Sequence, residues 1–256
     1  YRPVTPINRD AMAAFLYRLK STSSTPTITD TNLLTCIDAT LGLPAGTQPT
    51  PAQAAGLTNL GCDNESISQL QGLQTFTGLT HLNLGNYRDV AENQISDLTP
   101  LAGLTNLTNL YLLHNQISDL TPLAGLTNLT WLDLKYNQVS NITPLKGLTQ
   151  LTTLQLESNQ VSNITPLAEL TNLSLSGNQV SDLTPLAELT NLTSLSVWSN
   201  QISDLTPLKR LTQLTYLDLS HNQVSDVSPI QALVDNGVVG LGGNPVCTTA
   251  PSTKGC

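Results

Sequence analysis

The hydrophobic and polar positions of this chain recur with one period over most of its length. The stretch "LTWLDLKYNQVSNITPLKGLTQ" follows the pattern LxxLxLxxNxIxxLxxLxxLxx, which is twenty-two residues long. The pattern fits 107–128, 129–150, 151–172, 192–213 and 214–235 without adjustment, and 57–78 with Cys62 and Phe76 at two of the Leu positions. Self-similarity at a fixed period in this range indicates a solenoid of stacked units.

Each unit carries two signals of local structure. The letters "LxLxx" alternate between apolar and polar, as a short strand with one buried face does. In "LTPL" a Thr precedes a Pro, which predicts that Thr caps a short helical or 3₁₀ turn with Pro at its first position. One unit alone cannot bury its aliphatic side chains, so successive copies are expected to stack and cover one another.

An Asn recurs where each unit leaves its strand. We expect its amide to turn inward and satisfy backbone groups of adjacent coils, which would otherwise be buried and unpaired. This interpretation makes the Asn residues part of the scaffold rather than of a functional site. They are Asn93, Asn115, Asn137, Asn159, Asn178, Asn200, Asn222 and Asn244.

Two copies of the repeat are irregular. The copy at 79–106 is six residues too long, and the extra residues fall within "GNYRDVAEN". A loop there would project from the rim of the sheet face, although a tolerated surface insertion explains it equally well. The loop would offer Tyr87, Arg88, Asp89 and Glu92. The copy at 173–191 is three residues too short, and we place the gap at its first Leu position. This predicts a dent in the sheet face between Glu157 and Trp198.

The repeat resembles the internalin-type leucine-rich repeats of Gram-positive bacterial surface proteins. The resemblance rests on "NQISDLTPLAGLTNL" at 93–107 and its copies, and it covers 57–246. It implies an α/β fold: a right-handed, curved solenoid with a parallel β-sheet on the concave side and short 3₁₀ turns on the convex side. The family's partner residues cannot be carried over, since the concave letters differ between members.

The residues before the repeats form other segments. Residues 1–20 predict a helix with one apolar stripe, and they resemble the tail of an S-layer-homology-like module. Residues 21–30 are a polar linker, and 31–56 predict a helical N-cap in which "TPAQ" has the form of a capping box. Because the chain begins at Tyr1 without a signal-peptide pattern, we interpret it as a piece of a longer protein.

Four cysteines allow three disulfide pairings. The two ends of the stack are too far apart for a bridge, which leaves Cys36–Cys62 in the N-cap and Cys247–Cys256 in the C-terminal cap at 247–256. Such bridges predict an extracellular, secreted or cell-wall-attached protein. A zinc site is the alternative, but the spacing lacks a C-x-x-C.

Composition excludes several classes of function. The formal net charge is −8 and no basic stripe occurs, so neither nucleic acid nor an anionic membrane surface is an expected partner. No apolar run reaches the length of a membrane span. The three His residues lie in different coils without an accompanying nucleophile or paired carboxylate, so we expect no catalytic residues, no metal and no cofactor.

Aromatic residues concentrate at the variable letters of the strand. Residues that flank the second and third Leu of each unit face outward from the sheet. These sites, together with the two positions that follow them, hold five of the chain's Tyr and Trp residues and its three His residues. Strand propensity is the alternative explanation. The candidate ligand-binding residues are Tyr111, Leu113, His114, Trp131, Asp133, Lys135, Tyr136, Trp198 and Tyr216.

An exposed aromatic surface is typical of recognition sites. The sequence therefore predicts a monomeric binding domain, not an enzyme, that holds a protein ligand from a host or neighbouring cell on its concave face. Two alternatives stay open. Trp and Tyr also stack on sugar rings, which would make the ligand a glycan, and a solenoid can serve only as a spacer.

Overall fold

The computed structural model describes residues 27–86, 92–164 and 169–256. Within them nine short strands form one parallel sheet in which spatial order follows chain order. The strands are β1 (Asn59–Gly61), β2 (His81–Asn83), β3 (Asn109–Tyr111), β4 (Trp131–Asp133), β5 (Thr153–Gln155), β6 (Asn172–Ser174), β7 (Ser194–Ser196), β8 (Tyr216–Asp218) and β9 (Val239–Gly240). The predicted right-handed solenoid with a concave parallel sheet is thereby confirmed.

The core is a stack of aliphatic side chains that run through every coil. The central residues of neighbouring strands are in register, as Leu110, Leu132 and Leu154 are, and all three are fully buried. Polar residues alternate with them on the outer side of the sheet, which is the period of two that the sequence predicts. Each coil therefore covers the apolar face of the next, and stability accumulates along the stack.

Short 3₁₀ helices line the convex side. They are Leu73–Thr75, Thr99–Leu101, Thr121–Leu123, Thr143–Gly147, Thr184–Leu186, Thr206–Arg210 and Ser228–Ile230. The prediction that Thr caps these turns is wrong, because Thr is their first helical residue and Leu or Ile precedes it. The capping oxygen comes from one residue earlier still: Asp119 Oδ1 accepts the backbone N–H of Thr121 at 2.8 Å, and Asn141 does the same for Thr143 at 2.9 Å.

Two side-chain ladders connect the coils. Asn137 Oδ1 accepts the N–H of Ile117 at 3.0 Å, and its Nδ2 donates to the carbonyls of Leu112 and Leu134, each at 3.0 Å. The inward role of the Asn residues is thereby confirmed. The second ladder was not predicted from the sequence. In it the hydroxyl of Thr130 donates to the carbonyl of Thr108 in the preceding coil at 3.1 Å, and this contact recurs along the stack.

The N-terminal end is closed by helices α1 (Thr31–Leu41) and α2 (Pro51–Gly56). The capping box at Thr50 and Gln53 is present. Asp30 caps α1 with one carboxylate oxygen and accepts the N–H groups of Ser68 and Gln69 with the other. Ile28 is buried in the core, so 28–30, which the sequence analysis gave to the linker, pack with the cap. The predicted helix at 1–20 lies outside the described residues.

The C-terminal end is closed by α3 (Gln231–Asp235), α4 (Pro245–Thr249) and the last residues of the chain. The N–H of Leu241 donates to the carbonyl of Gly255 at 2.7 Å, so the tail lies along the outer edge of β9. Disulfides join Cys36 to Cys62 and Cys247 to Cys256, as predicted. No helix among the described residues combines the length and apolarity that crossing a bilayer requires.

Candidate ligand-binding face

The concave face presents four rows of side chains, and each row takes one residue from every coil. In β4 and the turn after it the rows are represented by Trp131, Asp133, Lys135 and Tyr136. The register of the sheet places Tyr111 beside Asp133, and Asp133 beside Gln155. The fourth row lies in a left-handed turn, where Tyr136 has a φ of 54°.

Aromatic rings from neighbouring coils form pairs on this face, and we group the rings into two clusters by their position along the sheet. The first cluster is defined as Tyr111, His114, Trp131 and Tyr136. The rings of Tyr111 and Trp131 are 6.2 Å apart, and those of His114 and Tyr136 stack at 4.1 Å. The second cluster is defined as Trp198, Tyr216 and His221. In the second cluster the rings of Trp198 and His221 make an edge-to-face contact, with their centroids 5.7 Å apart.

Exposure sets these residues apart from the rest of the described chain. The large hydrophobic side chains that are exposed there are Trp131 (36%), Tyr136 (47%), Trp198 (43%) and Tyr216 (51%). All four lie on the concave strands or in the turns directly after them. The exposed large hydrophobic side chains of the described residues therefore lie on one side of the solenoid, as is typical of a recognition surface.

Two of the candidate residues do not present their side chains to a ligand. Leu113 is 6% exposed because it lies over Gly85 of the preceding coil, where an added Cβ would come within 2.1 Å of a Leu113 methyl carbon. Asp133 is 4% exposed and sits between larger side chains in the second row. Sequence alternation predicts an outward side chain at both positions, but it does not show how neighbouring side chains cover them.

The buried carboxylate of Asp133 is held by its own turn. Its Oδ1 accepts the backbone N–H of Lys135 at 3.1 Å, and the Lys135 ammonium is 3.5 Å from Oδ2. Burial raises the pKa of Asp133 above its ordinary value, and the nearby charge of Glu157 adds to the increase, while the contacts with Lys135 oppose it. Lys135 is half-buried and serves this contact, which reduces what it can offer to a ligand.

The core Leu whose loss was predicted to leave a dent between Glu157 and Trp198 is present in the structure as the buried Leu170. Strand β6 is complete and pairs in register with β5, with Leu154 opposite Leu173 and Thr152 receiving the N–H of Thr171. The shorter spacing therefore arises before Thr171. The predicted position of the gap is wrong, because any Leu of the run can be aligned with the missing one.

Small polar residues fill the strip between the two aromatic clusters. The hydroxyl of Ser174 donates to Glu157 Oε1 at 2.8 Å, and the hydroxyls of Ser176 and Ser196 are 2.7 Å apart. The inserted loop begins after Asn86, which is buried and accepts the N–H of Asn93 at 2.7 Å. Tyr87 and Arg88, predicted at the rim, lie outside the described residues.

Comparisons with known proteins agree with this architecture. Sequence models described as "Leucine Rich repeats (2 copies)" match 89–125, 127–169 and 168–210, and one described as "Leucine Rich repeat" matches 210–228. The fold and the ladders thus define a leucine-rich-repeat protein. A comparison of the sequence with curated proteins gives no match.

Similar solved structures show to which family of leucine-rich-repeat proteins the chain belongs. An internalin (inlF) from Listeria monocytogenes is 34% identical with a TM-score of 0.79, and the alignment covers 87% of this chain and 67% of that one. Internalin C2 from the same organism is 35% identical with a TM-score of 0.75, covering 86% and 98%. The chain belongs to the internalin family of leucine-rich-repeat proteins.

A more distant structure shares the fold. The ectodomain of the plant membrane receptor kinase GASSHO1/SCHENGEN3 from Arabidopsis thaliana, in complex with CASPARIAN STRIP INTEGRITY FACTOR 2, is 28% identical with a TM-score of 0.59. The alignment covers 69% of this chain and 23% of that one.

Proposed function

We propose that this chain is an extracellular binding domain that holds a protein ligand on its concave face, with the first aromatic cluster at the centre of the contact. One observation carries the proposal: the exposed large hydrophobic side chains of the described residues gather on the concave side. Tyr and Trp dominate the energetics of protein interfaces because each contributes large contact area with few rotatable bonds.

The scaffold supports binding rather than catalysis. The charged residues of the concave face either pair with each other, as Lys135 and Asp133 do, or stand in separate coils. Among the described residues no group of His, Cys, Asp and Glu has the geometry of a metal site. The disulfides and the internalin relatives support a secreted or cell-wall-attached location. The plant ectodomain, solved with a bound partner, supports ligand binding by such a solenoid.

The test compares two double variants of the same two coils. Tyr111→Ala/Trp131→Ala removes two rings from the concave face, and Thr127→Ala/Thr149→Ala removes two exposed side chains from the convex side. Proteins that the wild-type domain captures from host-cell surface extracts should be identified by cross-linking and then purified for affinity measurement. We expect the concave variant to bind such a protein at least ~30-fold more weakly and the convex variant to bind it like the wild type.

Two outcomes would contradict the proposal. Equal affinity of both variants would assign the solenoid a spacer role, because its concave rings would then contribute nothing. Binding to sugars on a glycan array that Trp131→Ala abolishes, without any purified protein partner, would make the ligand a glycan.

A further inference from the structure

We propose that the concave face around Trp198 binds a guanidinium group, the side chain of an arginine presented by the protein ligand. The inference rests on the proposed function, since it specifies one contact of the same face. We define the Trp198 site as Trp198 together with nearby residues of the concave face: Glu157, Ser174, Ser176, Ser196 and Asp218.

Sheet register brings two carboxylates to opposite sides of the indole. The N–H of Ser158 donates to Ser176 and the N–H of Gly177 donates to Trp198, so Glu157, Ser176 and Trp198 form one row across three successive coils. With strands about 4.8 Å apart, Glu157 lies about 10 Å from Trp198 along this row. Asp218 is on the next strand, opposite Ser196 in the register.

One side of the indole is open. The edge contact with His221 occupies the side towards β9, while on the other side Ser176 is small and Gly177 has no side chain. The exposed Trp198 ring can therefore receive a flat group over the serine strip. A cation over an indole face is attracted by its π electrons, and a guanidinium also stacks on it as a plane.

Among the described residues, no ion pair holds either carboxylate of the site. The ion pairs of the described residues are Lys135–Asp133 at 3.5 Å and Arg210–Glu188 at 2.9 Å. Lys135 is the one Lys or Arg on the described part of the concave face, and Asp133 holds it. Glu157 and Asp218 are half-buried, and their hydrogen bonds come from uncharged groups: Glu157 accepts the Ser174 hydroxyl, and Asp218 accepts the Ser220 backbone N–H and the Tyr216 hydroxyl.

Both carboxylates act on one point of the face. Burial raises the pKa of Tyr216, and the negative charge of Asp218 and, more weakly, that of Glu157 raise it as well. A guanidinium over Ser176, between Glu157 and the open side of Trp198, would donate charge-assisted hydrogen bonds to Glu157, and the charge of Asp218 would add to the attraction. An acidic side chain would be repelled. A lysine would gain the charge but not the stacking or the fork-like geometry that matches a carboxylate.

The experiment uses the two tryptophans of the chain as separate reporters. An acetylated and amidated tetra-arginine peptide is titrated at low salt into the ¹⁵N-labelled domain, and the two indole N–H signals are followed by NMR. We expect the Trp198 signal to shift saturably and the Trp131 signal to stay in place. A tetra-lysine peptide should bind more weakly, and a tetra-glutamate peptide should leave both signals unchanged.

A matched pair of variants separates the site from the net charge of −8. Glu157→Gln/Asp218→Asn should weaken binding of the arginine peptide about three- to tenfold. Asp119→Asn/Asp204→Asn removes the same two charges from the convex side and should bind like the wild type. Its fold should persist, because Asn141 already makes the equivalent hydrogen bond to Thr143.

Three results would overturn the inference: equal weakening in both double variants, equal shifts of the two indole signals, or an equal response to the glutamate peptide. Failure of the arginine site can be distinguished from failure of the proposed function. If the arginine peptide does not shift the Trp198 signal while Tyr111→Ala/Trp131→Ala still abolishes binding of the protein ligand, only the arginine site is rejected.

Discussion

The rings of His114 and Tyr136 stack with centroids 4.1 Å apart, although both residues have a left-handed backbone, with φ of 52° and 54°. Side chains other than Gly and Asn seldom adopt this conformation. Gly177 and Gly243 occupy the equivalent position of their own coils with φ of 65° and 76°. The turn itself therefore does not need a ring, and the stacked pair is a feature of the surface rather than of the scaffold.

This relationship predicts that Tyr136→Gly separates binding from stability. Glycine adopts a positive φ without strain, so we expect the free energy of unfolding to change by less than ~1 kcal/mol. Binding of the protein ligand should weaken about tenfold or more, because an exposed ring of the first aromatic cluster is lost. Urea denaturation and titration calorimetry measure the two effects separately.

Ser158→Gly is the matched control, since Ser158 holds the same position one coil further on, with φ of 54° and no ring. It should leave both stability and affinity near the wild-type values. The interpretation fails if Tyr136→Gly unfolds the domain while Ser158→Gly does not, since the ring would then be structural.

Most of the fold could be predicted because the repeat encodes it several times over. The periodic Leu positions predict the strands and the stacked core, and the recurring Asn predicts its own ladder. The cap of the 3₁₀ turns was assigned to Thr in error, because Asp119 and Asn141 lie two residues before the Thr whose N–H they accept. The usual N-cap residue directly precedes the first helical residue, whereas Asp119 and Asn141 lie one residue further back.

For the candidate site, the sequence predicts which residues face outward from the sheet but not which of them are exposed. Alternation places Leu113 and Asp133 on the outer face, yet Gly85 leaves room for Leu113 to fold down onto the preceding coil. A neighbour twenty-eight positions away in the sequence decides that burial, and the repeat pattern says nothing about it. The two clusters likewise arise from pairs such as Trp198 and His221, whose contact depends on register between coils.

The Asn ladder gives a prediction about stability. Asn137→Ala removes the acceptor of the buried Ile117 N–H and the donor to two buried carbonyls. We expect the free energy of unfolding to fall by about 3 kcal/mol, since buried polar groups without partners each cost roughly 1–3 kcal/mol. Chemical denaturation followed by circular dichroism measures the change.

Asn128→Ala serves as the control for this substitution. Its amide donates to the carbonyl of Thr105 at 2.9 Å, but the contact is exposed, so water can replace it. A loss below ~1 kcal/mol is expected. Comparable losses for Asn128→Ala and Asn137→Ala would show that the inward orientation of the ladder contributes little to stability.

The buried carboxylate of Asp133 should make stability depend on pH. Its pKa is raised above the ordinary 3.8 chiefly by burial, so the folded state binds a proton more tightly than the unfolded state does. The corresponding contribution to stability is fully present below the unfolded pKa and is lost as pH rises through the folded pKa. At neutral pH the wild type therefore carries the cost of a buried negative charge that Lys135 offsets only in part.

Asp133→Asn should remove this cost while its amide oxygen continues to accept the Lys135 N–H. We expect the variant to gain free energy of unfolding relative to the wild type as pH rises from 3 to 7, measured by urea denaturation at several pH values. Asp119→Asn should show the opposite trend, because hydrogen bonds from Thr121 lower the pKa of Asp119 and stabilise its charged form. Parallel pH profiles for the two variants would mean that burial of Asp133 does not control its ionisation.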